Sequence, residues 1–191
     1  MPMRVSGGVL GGRRIEVPKG DLVRPTQDMV RQALFSMLAT LVPESRFLDL
    51  FAGSGAVGLD AWSRGAAHVT WVERDPRTLA VLRGNVTTLC RAEAGTAGET
   101  EIVGMDAMRW LERGNAAAPY DLIFADPPYD RDRTCNWPQR LAGALSAGAW
   151  LTPNARFVFE QAAGVPEAIP HGWTSVSNRR YGEARLYILA P

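Results

Sequence analysis

The sequence of 191 residues contains only two cysteines, Cys90 and Cys135, and two histidines, His68 and His171. Because no Cys-x-x-Cys pair occurs, this small set predicts neither a disulfide framework nor a metal site. No apolar run approaches the ~20 residues of a membrane-spanning helix, and the first residues lack the apolar stretch of a secretory signal. We therefore expect a cytoplasmic monomer that does not bind a membrane.

Lysine is almost absent, since twenty of the 21 basic residues are arginine and only Lys19 is not. Residues 1–31 carry six basic and three acidic side chains, whereas the remainder carries 15 and 17. Arginine pairs with phosphate through two hydrogen bonds and stacks on bases, so a basic arm is compatible with a nucleic-acid partner. A GC-rich genome that favours arginine codons explains the same composition equally well.

The chain, 46% hydrophobic and 21% charged, has enough apolar residues for a sizeable core. Its pattern predicts strands at 47–51, 68–73, 101–104, 120–125, 156–160, 173–178 and 185–189, and helices at 55–64, 76–90, 106–113 and 137–145. An earlier helix begins at Thr26, runs through Leu41 and ends before Pro43. This alternation, with two strands close together at the end, predicts an α/β fold whose mostly parallel seven-stranded sheet has an antiparallel edge strand.

The first residues follow a different pattern, with four glycines at positions 7, 8, 11 and 12 between two short strand-like pieces. Glycine permits the tight turns of a hairpin, and the segment has too few apolar residues to fold alone. We predict a flexible basic hairpin or arm over residues 1–23 and a second unit over residues 24–191.

A glycine-rich loop, Ala52-Gly53-Ser54-Gly55-Ala56-Val57-Gly58, lies between a predicted strand and a predicted helix. Glycines let the backbone turn tightly and approach a ligand, while the helix start presents free N–H groups. Glu73 ends the next strand, twenty residues after Gly53, where a carboxylate can accept hydrogen bonds from both ribose hydroxyls of an adenosine. Together these features predict a cofactor that contains adenosine.

An acid near this loop favours S-adenosylmethionine over NAD as that cofactor. Asp49 lies four residues before the first glycine, where its charge would repel a pyrophosphate but could face a cationic amino-acid group. S-adenosylmethionine carries an ammonium and a sulfonium and has no phosphate. Asp106 and Ala107 follow the third strand, where the Asp106 side chain or the adjacent N–H could meet the adenine amino group. Asp106 is equally compatible with a helix N-cap.

The most specific motif is Asp126-Pro127-Pro128-Tyr129, which follows the apolar strand 120–125. The prolines restrict the backbone, so the Asp126 carboxylate and the Pro127 carbonyl project rigidly at the edge of the sheet where ligands bind. Two such acceptors can take both hydrogens of a base amine and direct its lone pair at a sulfonium methyl. Tyr129 could stack on a base drawn out of its helix or loop.

These motifs resemble the class I S-adenosylmethionine-dependent methyltransferases that act on amino groups. The segments 11–15, 24–38 and 179–189 narrow the resemblance to the bacterial 16S ribosomal RNA guanine-N2 methyltransferases, over nearly the whole chain. The resemblance implies a Rossmann-like fold and cofactor contacts at Asp49, Ala52, Gly53, Ser54, Gly55, Glu73, Arg74, Asp106 and Ala107. It implies that Asp126 and Pro127 hold the guanine amine, that Tyr129 stacks, and that Arg4, Arg13, Arg14 and Arg24 grip RNA. The chain departs from the family pattern at Met29, Gln32 and Ser36.

We therefore expect methyl transfer from S-adenosylmethionine to the N2 amine of one guanine in 16S ribosomal RNA, presented in an assembled or partly assembled small subunit. Shape of the ribonucleoprotein should supply much of the specificity. One alternative is an amino-group methyltransferase for another RNA or for DNA, at adenine N6 or cytosine N4. Two others are a non-catalytic RNA-binding module, for which disrupted cofactor loops would be expected, and an NAD-dependent dehydrogenase.

Overall fold

The computed structural model describes residues 2–18, 25–91, 98–114, 118–128, 135–167 and 169–191, with backbone alone for 25–27. The described helices are α1 (Pro25–Met37), α2 (Ala56–Ser63), α3 (Pro76–Arg91), α4 (Ala107–Leu111) and α5 (Trp137–Ala147). The described strands are β1 (Arg46–Leu50), β2 (His68–Val72), β3 (Glu99–Val103), β4 (Tyr120–Ala125), β5 (Leu151–Ala162), β6 (Thr174–Tyr181) and β7 (Ala184–Ala190). Within these parts of the chain, no helix has the length and apolarity needed to cross a membrane.

The seven strands form one sheet in the order β3-β2-β1-β4-β5-β7-β6. The pairs among β1 to β5 are parallel, whereas β7 runs antiparallel to both of its neighbours. The predicted fold class, an α/β fold with a mostly parallel sheet and an antiparallel hairpin at one edge, is confirmed. The carboxyl ends of β1, β2, β4 and β5 lie side by side, and in such sheets ligands bind at that edge.

The sheet has a hydrophobic core on each face. One core joins apolar side chains of α1, α2 and α3 to the sheet, and the other joins those of α4 and α5. Side chains alternate between the faces along a strand, so Phe124 packs in the first core whereas Ala125 packs in the second. The buried strands therefore hold their carboxyl ends rigidly between two helical layers.

The end of the first helix differs from the prediction. We expected the helix to run through Leu41 and its apolar positions, Leu41 among them, to lie on the core, but α1 ends at Met37 and turns follow. Because the chain leaves the helical path, Leu41 is 44% exposed, and the neighbouring Val42 is fully buried instead. The expectation that Leu41 faces the core is therefore wrong.

The glycine-rich amino-terminal segment is docked on the core, which the sequence did not reveal. An isolated bridge between Arg4 and Arg14 gives the predicted hairpin pairing. Val5, Leu10 and Ile15 each keep 2% or less of their surface exposed, and all three pack in the core on the α1–α3 side. The segment thus contributes apolar burial to the main body, although the division of the chain at residue 23 stays a prediction.

Replacing Leu10 by alanine should lower the free energy of unfolding by about 3 kcal/mol, because a fully buried leucine leaves a cavity. Urea denaturation measures the change. Val9→Ala is the matched control, since Val9 is 60% exposed and its truncation should change stability by less than about 0.5 kcal/mol. Equal, small effects of both substitutions would show that the segment does not stay docked in solution.

Candidate functional site

A cavity of about 280 Å³ opens at the carboxyl edge of the sheet. It is lined by residues from the ends of four chain segments: Phe51, Val72, Glu73, Arg74, Met105, Ala107, Asp126 and Pro128. Glu73, Arg74, Ala107 and Asp126 were singled out from the sequence. The structure therefore brings the acid after β2, the start of α4 and the Asp-Pro-Pro segment to one cavity.

The glycine loop between β1 and α2 takes a backbone path that requires its glycines. Gly53 and Gly55 have φ of 56° and 86°, values that side chains disfavour. A Cβ on Gly58 would lie 2.1 Å from the Trp71 indole nitrogen, so this glycine lets α2 pack closely on β2. Phe51 also has a positive φ, 61°, and its ring packs edge-on against Trp137.

Asp49 lies beneath this loop. Its carboxylate is buried, with the residue only 1% exposed, and it accepts a 2.9 Å hydrogen bond from the Gly58 backbone N–H. Burial raises the pKa of Asp49 to about 8; the Gly58 bond opposes that shift, and the charges of Asp126 and Glu73 add to it. The sequence suggested that Asp49 could face a cationic amino-acid group. The structure places Asp49 under the loop, near enough to Asp126 and Glu73 for their negative charges to raise its pKa.

Glu73 and Ser54 have partners that fix the loop. The Glu73 carboxylate accepts hydrogen bonds from the backbone N–H of Gly53, at 3.0 Å, and of Asp75, at 2.7 Å. The Ser54 carbonyl accepts a 2.9 Å hydrogen bond from the Asn85 side chain. Glu73 thereby joins the end of β2 to the glycine loop while its half-buried carboxylate still lines the cavity.

At the start of α4, Asp106 is the N-cap, and its carboxylate accepts a 3.2 Å hydrogen bond from the Arg109 N–H. The same carboxylate lies 3.4 Å from the Arg74 guanidinium, which is mostly exposed. Ala107, the next residue, is buried and lines the cavity. Asp106 is therefore the N-cap of α4, and Ala107 is the residue of the pair that lines the cavity.

The Asp-Pro-Pro segment follows β4 directly. Asp126 opens onto the cavity, yet the surrounding protein removes enough water to raise its pKa to about 6. Pro127 is buried. Among the described residues, neither the Asp126 carboxylate nor the Pro127 carbonyl is engaged in a hydrogen bond. The Asp126 carboxylate and the Pro127 carbonyl are thus left available as acceptors beside the cavity. Tyr129, the third residue predicted to act on the base, lies outside the described residues.

Three of the four arginines predicted to bind RNA lie in the described part of the chain. Arg4, Arg13 and Arg14 are exposed on the amino-terminal hairpin, and Arg24 lies outside the described residues. The hairpin contacts the glycine loop, because the Ser54 hydroxyl lies 3.5 Å from the Met3 sulfur. In α1, the Ser36 hydroxyl donates to the Gln32 carbonyl at 2.9 Å. The Ser36 hydroxyl is therefore satisfied within the helix by a backbone carbonyl, and this bond does not involve the Gln32 side chain.

Comparison with known proteins decides the family. Residues 3–190 match the protein family described as Conserved hypothetical protein 95. The ribosomal RNA small subunit methyltransferase D of Escherichia coli strain K12 is 34% identical over 189 residues, covering 97% of this chain and 89% of that protein. The chain belongs to this methyltransferase family.

Solved structures agree with the family assignment. The Escherichia coli protein yhhF, described as a methyltransferase, superposes with a TM-score of 0.80 at 30% identity, covering 99% of this chain and 97% of that one. The methyltransferase SMU.776, solved in complex with SAH, shares the fold at 15% identity, with a TM-score of 0.63 over 87% of this chain and 50% of that one. The resemblance inferred from the motifs is confirmed, and the dehydrogenase and the non-catalytic module lose their support.

Several residues that line the cavity were not predicted as site residues from the sequence. Phe51, Val72 and Met105 all line the cavity. The motifs drew attention to polar side chains, whereas these residues are apolar neighbours of the polar ones at the same strand ends. Their position beside Asp49, Glu73, Asp106 and Asp126 was the available signal, because residues at adjoining strand ends share one edge.

Proposed function

We propose that this protein transfers a methyl group from S-adenosylmethionine to the exocyclic N2 amine of one guanine in 16S ribosomal RNA. The substrate form is an assembled or partly assembled small subunit. The observation that carries the proposal is the position of Asp126 in the same cavity as Glu73. That arrangement sets acceptors for a base amine beside a carboxylate suited to an adenosine ribose, on a chain of the methyltransferase family.

The cavity fits S-adenosylmethionine by its charge. Glu73 and Asp126 line it together with the mostly exposed Arg74, so the two carboxylates favour a cationic ligand over a pyrophosphate. Glu73 would hold the ribose hydroxyls, Ala107 would lie near the adenine, and Gly53 and Gly55 would let the backbone approach the ligand. When bound, S-adenosylmethionine supplies an electrophilic methyl group on a positively charged sulfur.

The protein's part in the chemistry follows from two oxygens. A guanine amine is a poor nucleophile because its lone pair is spread into the ring. The Asp126 carboxylate and the Pro127 carbonyl would each accept one amine hydrogen, which draws the nitrogen toward tetrahedral geometry and directs the lone pair at the methyl group. The Asp126 charge stabilises the positive charge that develops on nitrogen. With a pKa of about 6, the same carboxylate can take the proton that nitrogen then releases.

The amino-terminal hairpin supplies an RNA contact in this proposal. Its exposed arginines lie on the segment that contacts the glycine loop, so RNA held there would also lie near the cavity. Phosphate contacts give affinity without sequence readout. The hairpin would thus contribute affinity, and the shape of the subunit would select the nucleotide.

Changing Arg4, Arg13 and Arg14 together to glutamine should weaken binding of the small subunit and reduce its salt dependence. Each lost phosphate contact removes ~0.7 from the slope of log affinity against log salt on single-stranded RNA, so the slope should fall by about 2. The melting temperature should stay near wild type because all three side chains are exposed. Glutamine at Arg83, Arg91 and Arg113, which are equally exposed, is the matched control. An unchanged slope would refute the assignment of the hairpin.

Transfer of a radiolabelled methyl group onto small subunits from a strain lacking the enzyme tests the proposed function. The expected product is N2-methylguanine at one position of 16S ribosomal RNA, mapped by primer extension or mass spectrometry of nuclease fragments. Naked 16S ribosomal RNA, run in parallel, shows whether the ribonucleoprotein is required. Label on adenine, on cytosine or on the large subunit would overturn the proposal.

A further inference from the structure

Glu160, near the carboxyl end of β5, is an acid that the proposed chemistry does not yet use. The β4–β5 register pairs Phe124 with Val158 and Ala125 with Phe159, so Glu160 follows as the neighbour of Asp126. Phe124 and Val158 both pack in the core on the α1–α3 side. Because side chains alternate along strands, Glu160 projects toward that same side of β5. The charge of Asp126, the residue that follows β4, reaches it there.

The surroundings of Glu160 disfavour a charge. The side chain is half-buried, and the residue paired with Glu160 on the neighbouring strand β7 is the buried Leu186. In the described parts of the chain, the Glu160 side chain takes part in no hydrogen bond or ion pair. Burial, and after it the negative charge of Asp126, raises the pKa of Glu160 to about 8. An acid held beside another acid without a cation stabilises nothing in the fold, which points to a role toward a ligand.

The edge of guanine explains what a second acceptor beside Asp126 could bind. Guanine presents three donor hydrogens in a row, two on the N2 amine and one on the adjacent ring nitrogen N1. In adenine and in cytosine, the ring nitrogen beside the amine is an acceptor instead. An ionised carboxylate only accepts hydrogen bonds, so at that position it attracts guanine and repels the other two bases. Because the pKa of Glu160 is about 8, the free protein carries the ionised form mainly above that pH, and the guanine preference is measured there.

We propose that Glu160 is a specificity-determining residue whose carboxylate accepts the N1–H of the target guanine while Asp126 and Pro127 hold its N2 amine. This inference rests on the proposed function. Neighbouring strands lie ~4.8 Å apart, a separation that carboxylates on adjacent strands can span to reach neighbouring atoms of one base edge. Bases recognised in RNA are commonly read in this way on their Watson–Crick edge.

A base analogue removes the N1 contact. 2-Aminopurine keeps the 2-amino group but has an acceptor at N1 and no O6 carbonyl, so the analogue lacks the hydrogen that Glu160 would accept. The change of the preference in Glu160 variants separates the N1 contact from the loss of O6. We would place it at the mapped target position in reconstituted small subunits and compare kcat/KM with that for guanine. Wild-type enzyme should prefer guanine by about a hundredfold, because a site built for a hydrogen bond rejects a partner that lacks it.

Glu160→Gln should lower that preference by about tenfold or more, since an amide can donate to an N1 acceptor as well as accept from an N1–H. Affinity for S-adenosylhomocysteine should stay within about twofold, which separates a base contact from damage to the cofactor site. Glu167→Gln, the same change at an exposed site on the loop after β5, is the matched control and should leave the preference unchanged. Glu160→Asp, which keeps the carboxylate, should retain the preference at a reduced rate.

The outcomes separate the two proposals. An unchanged guanine preference in Glu160→Gln, with guanine methylated by the wild type, overturns the role of Glu160 and leaves the proposed function standing. Absence of N2-methylguanine from wild-type reactions overturns the proposed function itself. If Glu160→Gln does not fold, a retained preference at a reduced rate in Glu160→Asp, with cofactor affinity intact, supports the role, and a fully wild-type rate and preference there refutes it.

Discussion

Asp126→Ala should reduce methyl transfer at least about a thousandfold, while S-adenosylhomocysteine binds within a few fold of its wild-type affinity. The carboxylate would stabilise charge that appears on the amine nitrogen only during transfer, so its loss should fall on kcat. Cofactor binding should survive because Glu73 and the glycine loop are tied to each other, through the Gly53 N–H, and not to Asp126. Single-turnover transfer and isothermal titration measure the two effects.

The matched control for this variant is Asp121→Asn, at the opposite end of the same strand. Asp121 accepts hydrogen bonds from the Arg46 backbone and the Thr152 hydroxyl, contacts that an asparagine can partly keep. This control should retain transfer, which would show that disturbing β4 is not enough to stop the reaction. Loss of cofactor affinity in Asp126→Ala, or near-normal transfer, would contradict the role given to Asp126.

Much of the sheet could be predicted because buried parallel strands leave a simple pattern. Tyr120–Ala125 has the predicted bounds, since an apolar run stands between polar residues and a proline pair. Asp49, near the end of β1, and the acids after β2 and β4 could be placed at one edge because parallel strands of one sheet end on the same side. The fold class and the grouping of Glu73 with Asp126 followed from local sequence together with that rule.

Features that depend on distant pairing could not be predicted. Val5, Leu10 and Ile15 are five residues apart, a spacing that matches no helix or strand period, so their burial was invisible before the hairpin was seen on the core. Glu160 is similar, because its place beside Asp126 follows from a register between strands about thirty residues apart. The sequence shows a glutamate near the end of a strand, and only the pairing shows which acid it neighbours.

Asp49→Asn should make the ligand-free protein more stable and bind S-adenosylhomocysteine at least about tenfold more weakly. An asparagine can still accept the Gly58 N–H, so the loop keeps its anchor, but the buried carboxyl is replaced by a group that never ionises. The ligand retains an ammonium, which an ionised Asp49 would attract. Stability and affinity should therefore change in opposite directions, as expected where a site holds an unfavourable charge for a ligand.

The pH dependence provides the internal control for this variant. The pKa of Asp49 is about 8 in the folded protein against an ordinary value of 3.8, so between these values the unfolded chain releases a proton that the folded protein keeps. Wild-type stability must therefore fall relative to Asp49→Asn as the pH rises from about 4 to about 8, and the difference should be constant above that range. We expect a difference near zero at pH 4 and about 5 kcal/mol at pH 8, measured by urea denaturation. A difference that does not grow with pH would mean that Asp49 is ionised in the free protein, and the gain in stability would then need another cause.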